Sequence, residues 1–463
     1  MQRVVTGLLL AAFLAVSALP LLARRERQAL PLPEASVRIR VLTAHWEGVR
    51  REFDRAFRAW SGEHLGRVVG VEFLDVGGTA DMVRYVQSEF ARSPKGIGID
   101  LLFGGGVEVY ERLARRGLLQ AVRIEPRLAA ALARKLGGTP LSDPKGRWYG
   151  AALAGFGILC NRRVLARLGL ARPKTWADLA RPEFFTWLGS GNPRASGSTH
   201  MAFEIVLQAR GWRAGYATLL RIAANTRAFS VSSAEVPRDV ALGEVACGMA
   251  LDSYAWSAMA RLGRRGGKRL SYVLPKGETV VNPDGIAVLK GAPHARLAAA
   301  FLRFVLSPAG QRLWMLPKGT PGGPREFLLA RMSILPEIHR ELAGRTPVRT
   351  NPFSWSGGDF YDSAKASARW DVLNALLGAC FVDNHAPLVA AWKALVAAGL
   401  PAEGLDALTA PPATEEEVLA LAARWGRDPE LRSRKAASWS RLCRSRYEAL
   451  AARYGTGRSG CGD

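Results

Sequence analysis

Hydrophobic positions along this chain follow two periods. Short apolar runs of strand length are each followed by a stretch in which apolar residues recur three or four apart, with a small-residue turn between them. Val37 to Leu42 reads as a strand; after Thr43-Ala44-His45-Trp46-Glu47 comes a helix carried by Phe53 and Phe57. Val69 to Val76 reads as a second strand, ending at Gly77-Gly78-Thr79 before a helix with Met82, Tyr85 and Val86. Ile99 to Phe103 is a third, ending at Gly104-Gly105-Gly106 before a helix from Val107 to Arg115. Strand, turn and helix, three times over, predict an α/β sheet of mostly parallel strands. Ligands of such sheets collect at the carboxyl ends of the strands, where these turns fall.

A second set of elements follows. Tyr149 to Cys160 is a long Gly- and Ala-rich apolar run that reads as an extended crossover rather than one short strand. Phe184 to Leu188, Ala228 to Val231 and Val245 to Leu251 are strand candidates with helical segments between them. Leu270 to Leu274 and Gly285 to Leu289 lead the chain back. This order predicts two α/β lobes joined by two crossings, 36–152 with 276–324 as the first and 153–275 as the second. Helical patterns dominate from Pro293, which suits a first-turn position, and Ser307-Pro308 supplies a cap and a second start. Residues 325–463 form a mostly helical extension broken at Asn351 to Tyr361 and at Pro411-Pro412. The aromatic residues around Phe353, Trp355, Phe360 and Tyr361 are expected to bury against the main body.

Composition narrows the class. A chain of 463 residues with 48% hydrophobic content is longer than one ordinary domain and too apolar to be disordered. Only Val4 to Leu22 approaches bilayer length; Arg3 precedes it, and Arg24, Arg25 and Arg27 follow. Residues 1–30 therefore read as a signal peptide or retained anchor, placing the body in the periplasm or at the cell surface. In that oxidising space Cys160 and Cys247, set in apolar runs, read as small buried hydrophobes, while Cys380, Cys443 and Cys461 leave room for one bridge. The net charge of +24 is mostly Arg spread along the chain, and no nucleic-acid-binding pattern accompanies it, so nucleic acid is not an expected partner. The dense stretch from Arg424 to Arg453 reads as a solvated basic face, or as one drawn to an anionic surface.

The candidate chemistry lies at the turns. Asn192-Pro193-Arg194-Ala195-Ser196-Gly197-Ser198-Thr199 leads into a helix that Gly211 stops. Hydroxyls there cap free backbone N–H groups, and the same groups bind an oxyanion. Ser232-Ser233 opens another helix, and Asp252-Ser253-Tyr254 ends a third strand of the same lobe. Opposite them the first lobe places Thr43, His45, Gly78, Thr79, Gly105 and Gly106. The predicted ligand-binding set is these six with Ser196, Gly197, Ser198, Thr199, Ser232, Ser233, Asp252 and Tyr254. Trp46 and Trp256 are further pocket candidates. The six histidines lack paired ligand spacing, and no Cys pair has zinc-site spacing. Neither a P-loop, a dinucleotide fingerprint nor Gly-x-Ser-x-Gly is present. No metal, cofactor or catalytic residue is predicted, which favours binding over turnover.

The run from Asn192 to Gly211, the stretch from Gly243 to Trp256 and the return through Asn282-Pro283-Asp284-Gly285-Ile286-Ala287 resemble the extracellular solute-binding proteins (family 1) of ABC importers, in the iron(III), phosphonate and phospho-sugar branch. Leu306 to Trp314 is similar to that family's C-terminal lobe helix. The resemblance covers roughly Val37 to Pro324. It implies a two-lobed periplasmic-binding-protein-like fold of the class II type that closes by a hinge, with the helical extension added, and no catalysis. It implies a monomer that hands a small ligand to a membrane permease. Ser196-Gly197-Ser198 matches the family's anion anchor, and Ser232-Ser233 lies where another anion contact sits. Iron-binding members carry two adjacent tyrosines where this chain has Ser253 and Tyr254, so the resemblance implies a phosphonate, phosphate ester or carboxylate ahead of ferric iron. A ligand sensor that signals to a membrane partner is the alternative.

Overall fold

The computed structural model describes residues 34–355 and 357–455, without the side chains of Arg264 and Arg265. The expected signal peptide or anchor and Cys461 lie outside the described residues. Strands β1 (Val37–Thr43), β2 (Val69–Leu74) and β3 (Leu101–Gly106) are parallel, with β1 in the centre, in register from Val37 opposite Val69 and from Val41 opposite Leu101. The helices Glu47–Leu65, Thr79–Arg92 and Val107–Arg115 follow them in turn. Three two-residue strands come next: β4 (Leu119–Gln120), β5 (Lys135–Leu136) and β6 (Thr139–Pro140). β7 (Tyr149–Asn161) is then one buried strand of 13 residues, the extended crossover expected over Tyr149 to Cys160. Both its faces are covered, which is why its sequence is continuously apolar rather than alternating.

The second half adds β8 (Leu188–Gly191), β9 (Thr226–Ser230), β10 (Cys247–Leu251), β11 (Leu270–Val273) and β12 (Val281–Leu289). The sheet runs β2-β1-β3-β12-β7-β10-β8-β9, with β11 paired to β7 and β4 to β12. The joint is β7: Tyr149 to Gly155 pair with β12, whereas Phe156 to Cys160 pair with β10. The long strands β7 and β12 thus carry the chain between the halves, and three apolar clusters of the described residues pack around the sheet. Phe53, Phe103, Phe301 and Trp314 belong to the first, Phe203, Tyr216 and Leu220 to the second.

Several expectations shift locally. Phe184 sits in a 3-10 turn, Pro182–Phe184, because Pro182 fixes the backbone for a turn start, and the strand begins only at Leu188. β12 starts at Val281, four residues early, and a register irregularity after Asp284 absorbs Pro283. Pro293 lies outside its helix, which opens at Ala295. Ser307 does cap the next helix, its Oγ accepting the Gly310 N–H at 3.3 Å. Cys160 and Cys247 are a disulfide rather than separate hydrophobes, because antiparallel pairing sets them directly opposite one another. Cys380 pairs with Cys443.

The extension is part of the body. It leaves the first half where the buried Glu52 carboxylate accepts the backbone N–H groups of Arg325, Glu326 and Phe327 at 2.9, 2.6 and 2.9 Å. Its helix Ser363–Leu377 then bonds to both halves. Towards the first, Ser367 Oγ donates to the Glu108 carbonyl (3.0 Å) and Asp371 pairs with Arg112 (2.8 Å). Towards the second, Asn374 donates to His200 Nδ1 (2.7 Å), and Arg369 pairs with Glu204 at 2.6 Å with both side chains fully buried. Tyr361, in the approach to this helix, is 3% exposed, in keeping with the aromatic burial expected there.

Breaking a buried pair strands a charge that burial penalises heavily. Arg369→Ala is expected to lower stability by about 3–5 kcal/mol, while Glu204→Leu with Arg369→Met loses far less. Urea unfolding of the three proteins measures this, and an Arg369→Ala loss below about 1 kcal/mol would mean the helix is not anchored by this pair.

Candidate functional site

Between the two halves lies a cavity of about 440 Å³, walled by strand ends from both and floored by β7 and β12. Eleven of the fourteen predicted residues line it: His45, Gly78, Thr79, Gly105 and Gly106 from one half, Ser196, Gly197, Ser198, Ser232, Ser233 and Tyr254 from the other. Trp46 lines it as well, whereas Trp256 is buried elsewhere, 3% exposed.

Two helix starts face each other across this space. Gly78 precedes the 14-residue helix Thr79–Arg92, and Ser196 caps the 14-residue helix Gly197–Arg210, its Oγ accepting the Thr199 N–H at 3.3 Å. The approach is close enough to demand glycine. A Cβ on Gly78 would strike the Ala195 carbonyl, and one on Gly197 would lie 2.8 Å from Thr79 Cβ. A chain of hydroxyls joins the second half's turns, Ser196 Oγ to Ser198 Oγ at 3.1 Å and Ser198 Oγ to Ser233 Oγ at 2.6 Å. Free N–H groups, the positive ends of two helix dipoles and movable hydroxyl protons therefore converge on one volume.

Three predicted residues do not reach the cavity. Thr43 is fully buried behind it; its Oγ1 accepts the His45 N–H at 3.0 Å and meets His45 Nδ1 at 3.1 Å, so it orients the imidazole. Thr199 is turned into its helix packing, 5% exposed. Asp252 caps from beneath, accepting the Gly155 N–H at 2.8 Å and the Ser253 N–H at 2.6 Å, and burial pushes its carboxyl up to about 7. Thr43 and Asp252 sit at strand ends, where neighbouring side chains alternate between cavity and core, and Thr199 lies in a helix first turn, where successive side chains point in different directions.

A buried cluster forms the other end of the site. Asp284 on β12 accepts from His45 Nε2 at 2.8 Å, from the Gly105 N–H at 2.6 Å, and from the Arg331 guanidinium. Burial opposes its charge, yet Arg331 and then His45 bring the carboxyl down to about 2. His45 moves the other way: burial outweighs Asp284 and lowers its pKa, so the ring is neutral. Its contacts assign the tautomer, with Nε2–H donating to Asp284 and Nδ1 accepting the Thr43 hydroxyl proton. Gly104, at φ +101°, passes the ring where a Cβ would lie 2.8 Å from His45 Cε1. Nearby Glu108 is buried, accepting from Tyr361 Oη at 2.6 Å and Asn282 Nδ2 at 3.1 Å, and burial pushes it up to about 7.

Asn282, Asp284, Glu108, Arg331 and Trp370 are cavity residues that the sequence reading did not assign. Asn282 and Asp284 lay inside a motif quoted for resemblance, and their polarity within an apolar strand was the available signal. Arg331 had a similar one: it is a single charge in the run Leu328-Leu329-Ala330-Arg331-Met332, and a charge so placed needs a partner. Trp370 had none, because only the packing of the extension brings it here. Among the described lining residues Arg331 is the single Lys or Arg, beside four carboxylates. Asp75 is paired with Arg50 at 3.0 Å, and Asp81 with Arg84. Among the described residues no group of three or more His, Cys, Asp or Glu is placed to hold a metal ion.

The phosphoglycerate transport regulatory protein PgtC of Salmonella typhimurium is 36% identical over 163 residues, 35% of this chain. The chain spans 39% of that relative's length. Among solved structures, the periplasmic binding protein AfuA from Actinobacillus pleuropneumoniae, determined with exogenous fructose-6-phosphate bound, superposes with a TM-score of 0.58 at 19% identity, over 74% of this chain and 98% of that one. The periplasmic binding protein P5PA gives 0.56 at 21% identity, over 72% and 95%. Both likenesses carry the two-lobed α/β fold. A family model described as bacterial extracellular solute-binding protein matches residues 97–329, half of the chain. By that match the chain belongs to the bacterial extracellular solute-binding protein family.

Proposed function

We propose that this chain is the periplasmic substrate-binding component of an ABC-type importer, capturing a small anionic solute between its lobes and delivering it to a membrane permease without chemical change. Phosphate esters lead the ligand classes, with phosphonates and carboxylates behind them. The observation that carries the reading is the meeting of two helix N-termini, one per lobe, at glycines and hydroxyls on a single cavity. Backbone N–H groups suit a group with several oxygens, since each N–H donates to one of them without a mobile counter-charge. The remaining wall, with Asn282, Arg331 and Glu108, offers hydrogen bonds to a hydroxylated or carboxylated remainder. A volume of 440 Å³ lies within the range of small-molecule sites. The names of PgtC, a phosphoglycerate protein, and of AfuA with its sugar phosphate point to the same class. The lobes we assign are 36–152 with 276–324, and 153–275, turning about β7 and β12.

A second reading, a periplasmic sensor signalling to a membrane partner, draws on two observations. The Salmonella relative is named a regulatory protein, and the helix Ser363–Leu377 ties both halves together in a way that restrains opening. Transport of radiolabelled ester by cells lacking the chain separates the two: import fails in the first reading and persists in the second.

Calorimetry with 3-phosphoglycerate and fructose-6-phosphate tests the cradle. Ser198→Ala with Ser233→Ala is expected to weaken the better ligand more than tenfold, because hydrogen bonds to charged groups are worth roughly 1.5–3 kcal/mol each. Unchanged affinity would remove the hydroxyls from the site, and a protein that binds neither ester nor a carboxylate would end the anion reading.

Glu108 adds a pH dependence. Its carboxyl is raised from 4.5 in the free side chain to about 7, so the folded state favours the proton. That preference is harmless below pH 4.5, grows as pH rises, and reaches its full cost above 7. Glu108→Gln is expected to match the parent in stability near pH 4.5 and to exceed it by roughly 3 kcal/mol near pH 8, as read from urea unfolding at the two values. Loss of ester affinity between pH 6 and 8 should flatten in the same variant, since the added negative charge lies against the ligand; equal slopes would exclude Glu108 from contact with it.

A further inference from the structure

A second, larger concavity lies apart from the interlobe cavity and shares no lining residue with it. Its volume is about 1290 Å³, above the range of small-molecule pockets and suited to a length of chain. One wall is the whole of β11, with Leu270, Ser271, Tyr272, Val273 and the following Leu274 all lining the groove in succession. β11 pairs with β7 on one side, and among the described residues no strand pairs with its other side. The backbone groups of β11 that alternate away from β7 therefore have no strand partner among the described residues. Ser271 adds a second sign of an unfilled site: it is 8% exposed, it lines the groove, and its hydroxyl has no hydrogen-bond partner among the described residues.

The rim has one sign of charge. Arg162, Arg172, Lys268 and Arg349 are exposed there, none in an ion pair among the described residues, and no carboxylate lines the groove. Their distribution is not local in sequence: Arg349 arrives from the C-terminal extension to complete a patch begun by three residues of the second lobe. Tyr272 and Trp355, both half-buried, supply flat apolar surface between them, with the buried Trp256 beneath.

We propose that β11 is a docking edge for an extended acidic segment of a partner protein, which adds as a further strand while its carboxylates meet the four cations. Strand addition explains the open ladder, since main-chain hydrogen bonds supply affinity and side chains on either rim supply specificity. Charge selects the occupant. A second copy of a chain with net charge +24 brings more cations to the same place. The segments outside the described residues do not fit either, for residues 1–33 carry Glu26 against Arg3, Arg24, Arg25 and Arg27, and residues 456–463 carry Asp463 against Arg458. Cations beside an open edge also repel self-pairing, so the same residues that admit an acidic strand protect the monomer from aggregation.

Fluorescence anisotropy with the full chain and a labelled eight-residue peptide alternating Glu with Val and Thr tests this directly. Saturable binding is expected, weakening at least tenfold for Arg172→Glu with Arg349→Glu, both exposed substitutions, whose unchanged melting temperature shows that the fold is intact. The same peptide N-methylated at every other residue, in each phase, keeps its charge and loses ladder donors; at least one phase should bind ten times more weakly. A Lys-for-Glu peptide should not bind. The proposal is overturned if no saturable binding occurs, if both N-methylated phases bind like the parent, or if duplex DNA or anionic vesicles compete as well as unlabelled peptide. Affinity of the interlobe cavity for phosphate esters is unaffected by either outcome, so failure here leaves the transport reading standing.

Discussion

A carboxylate taken out of water must be matched by donors, and Asp284 is where this molecule meets that demand. Its three partners come from separate parts of the chain: the imidazole after β1, the glycine end of β3, and Arg331 from the extension. Each partner is in turn held. Thr43 fixes the ring of His45, Gly104 accommodates it by adopting a positive φ, and Arg331 stacks near Trp314, 5.6 Å from the ring centroid. Removing the carboxylate would leave a neutral His, a buried guanidinium and a backbone N–H without acceptors. The cluster therefore sets where β1, β3 and β12 end relative to one another, and with them the first lobe's half of the cavity wall.

The second lobe's half is fixed by size rather than charge. Gly78 and Gly197 let two helix starts approach until backbone and side chain touch across the lobes. That contact ties the spacing of the two sets of N–H groups to the lobe arrangement, because any rotation that parts the lobes also parts them. The extension modifies this device. Through Ser367 and Asp371 it holds the helix beginning at Val107, and through Arg369 and Asn374 it holds the helix beginning at Gly197. A single helix bonded on both sides of a hinge limits how far that hinge opens, and its Trp370 also occupies part of the cavity wall.

Much of this was legible from residue order, and the exceptions have physical causes. The first three strands, their helices and the polar strand ends are local signals of period and turn chemistry, so the first half of the site could be placed before any coordinates. The run of β7 is legible to within one residue, although a strand covered on both faces loses the alternation that marks strands. Thr43, Thr199 and Asp252 were drawn into the candidate set by adjacency, although neighbouring side chains at a strand end or helix start point to opposite sides. Disulfide pairing of Cys160 with Cys247 required the register of β7 against β10, which sequence separation of 87 residues does not reveal. Arg331 and Trp370 depend on the extension folding back over the lobes, and long-range packing leaves no periodic trace.

On the two proposals together, charge is distributed so that the two kinds of recognition do not interfere. The chain carries +24, yet the cavity wall holds one cation, neutralised by Asp284, beside a carboxylate raised towards neutrality and two that are paired with arginines. An excess of fixed positive charge inside would bind any anion, phosphate and sulfate included. Amides and hydroxyls at fixed positions discriminate by shape instead, since a donor that misses its oxygen is left desolvated and unpaired. The uncompensated cations lie on outer surfaces such as the β11 groove, where long-range attraction raises encounter rates and salt screening keeps the contact reversible. On these proposals, short-range donors within and long-range charge without let the solute be chosen by geometry while an acidic partner is gathered by charge.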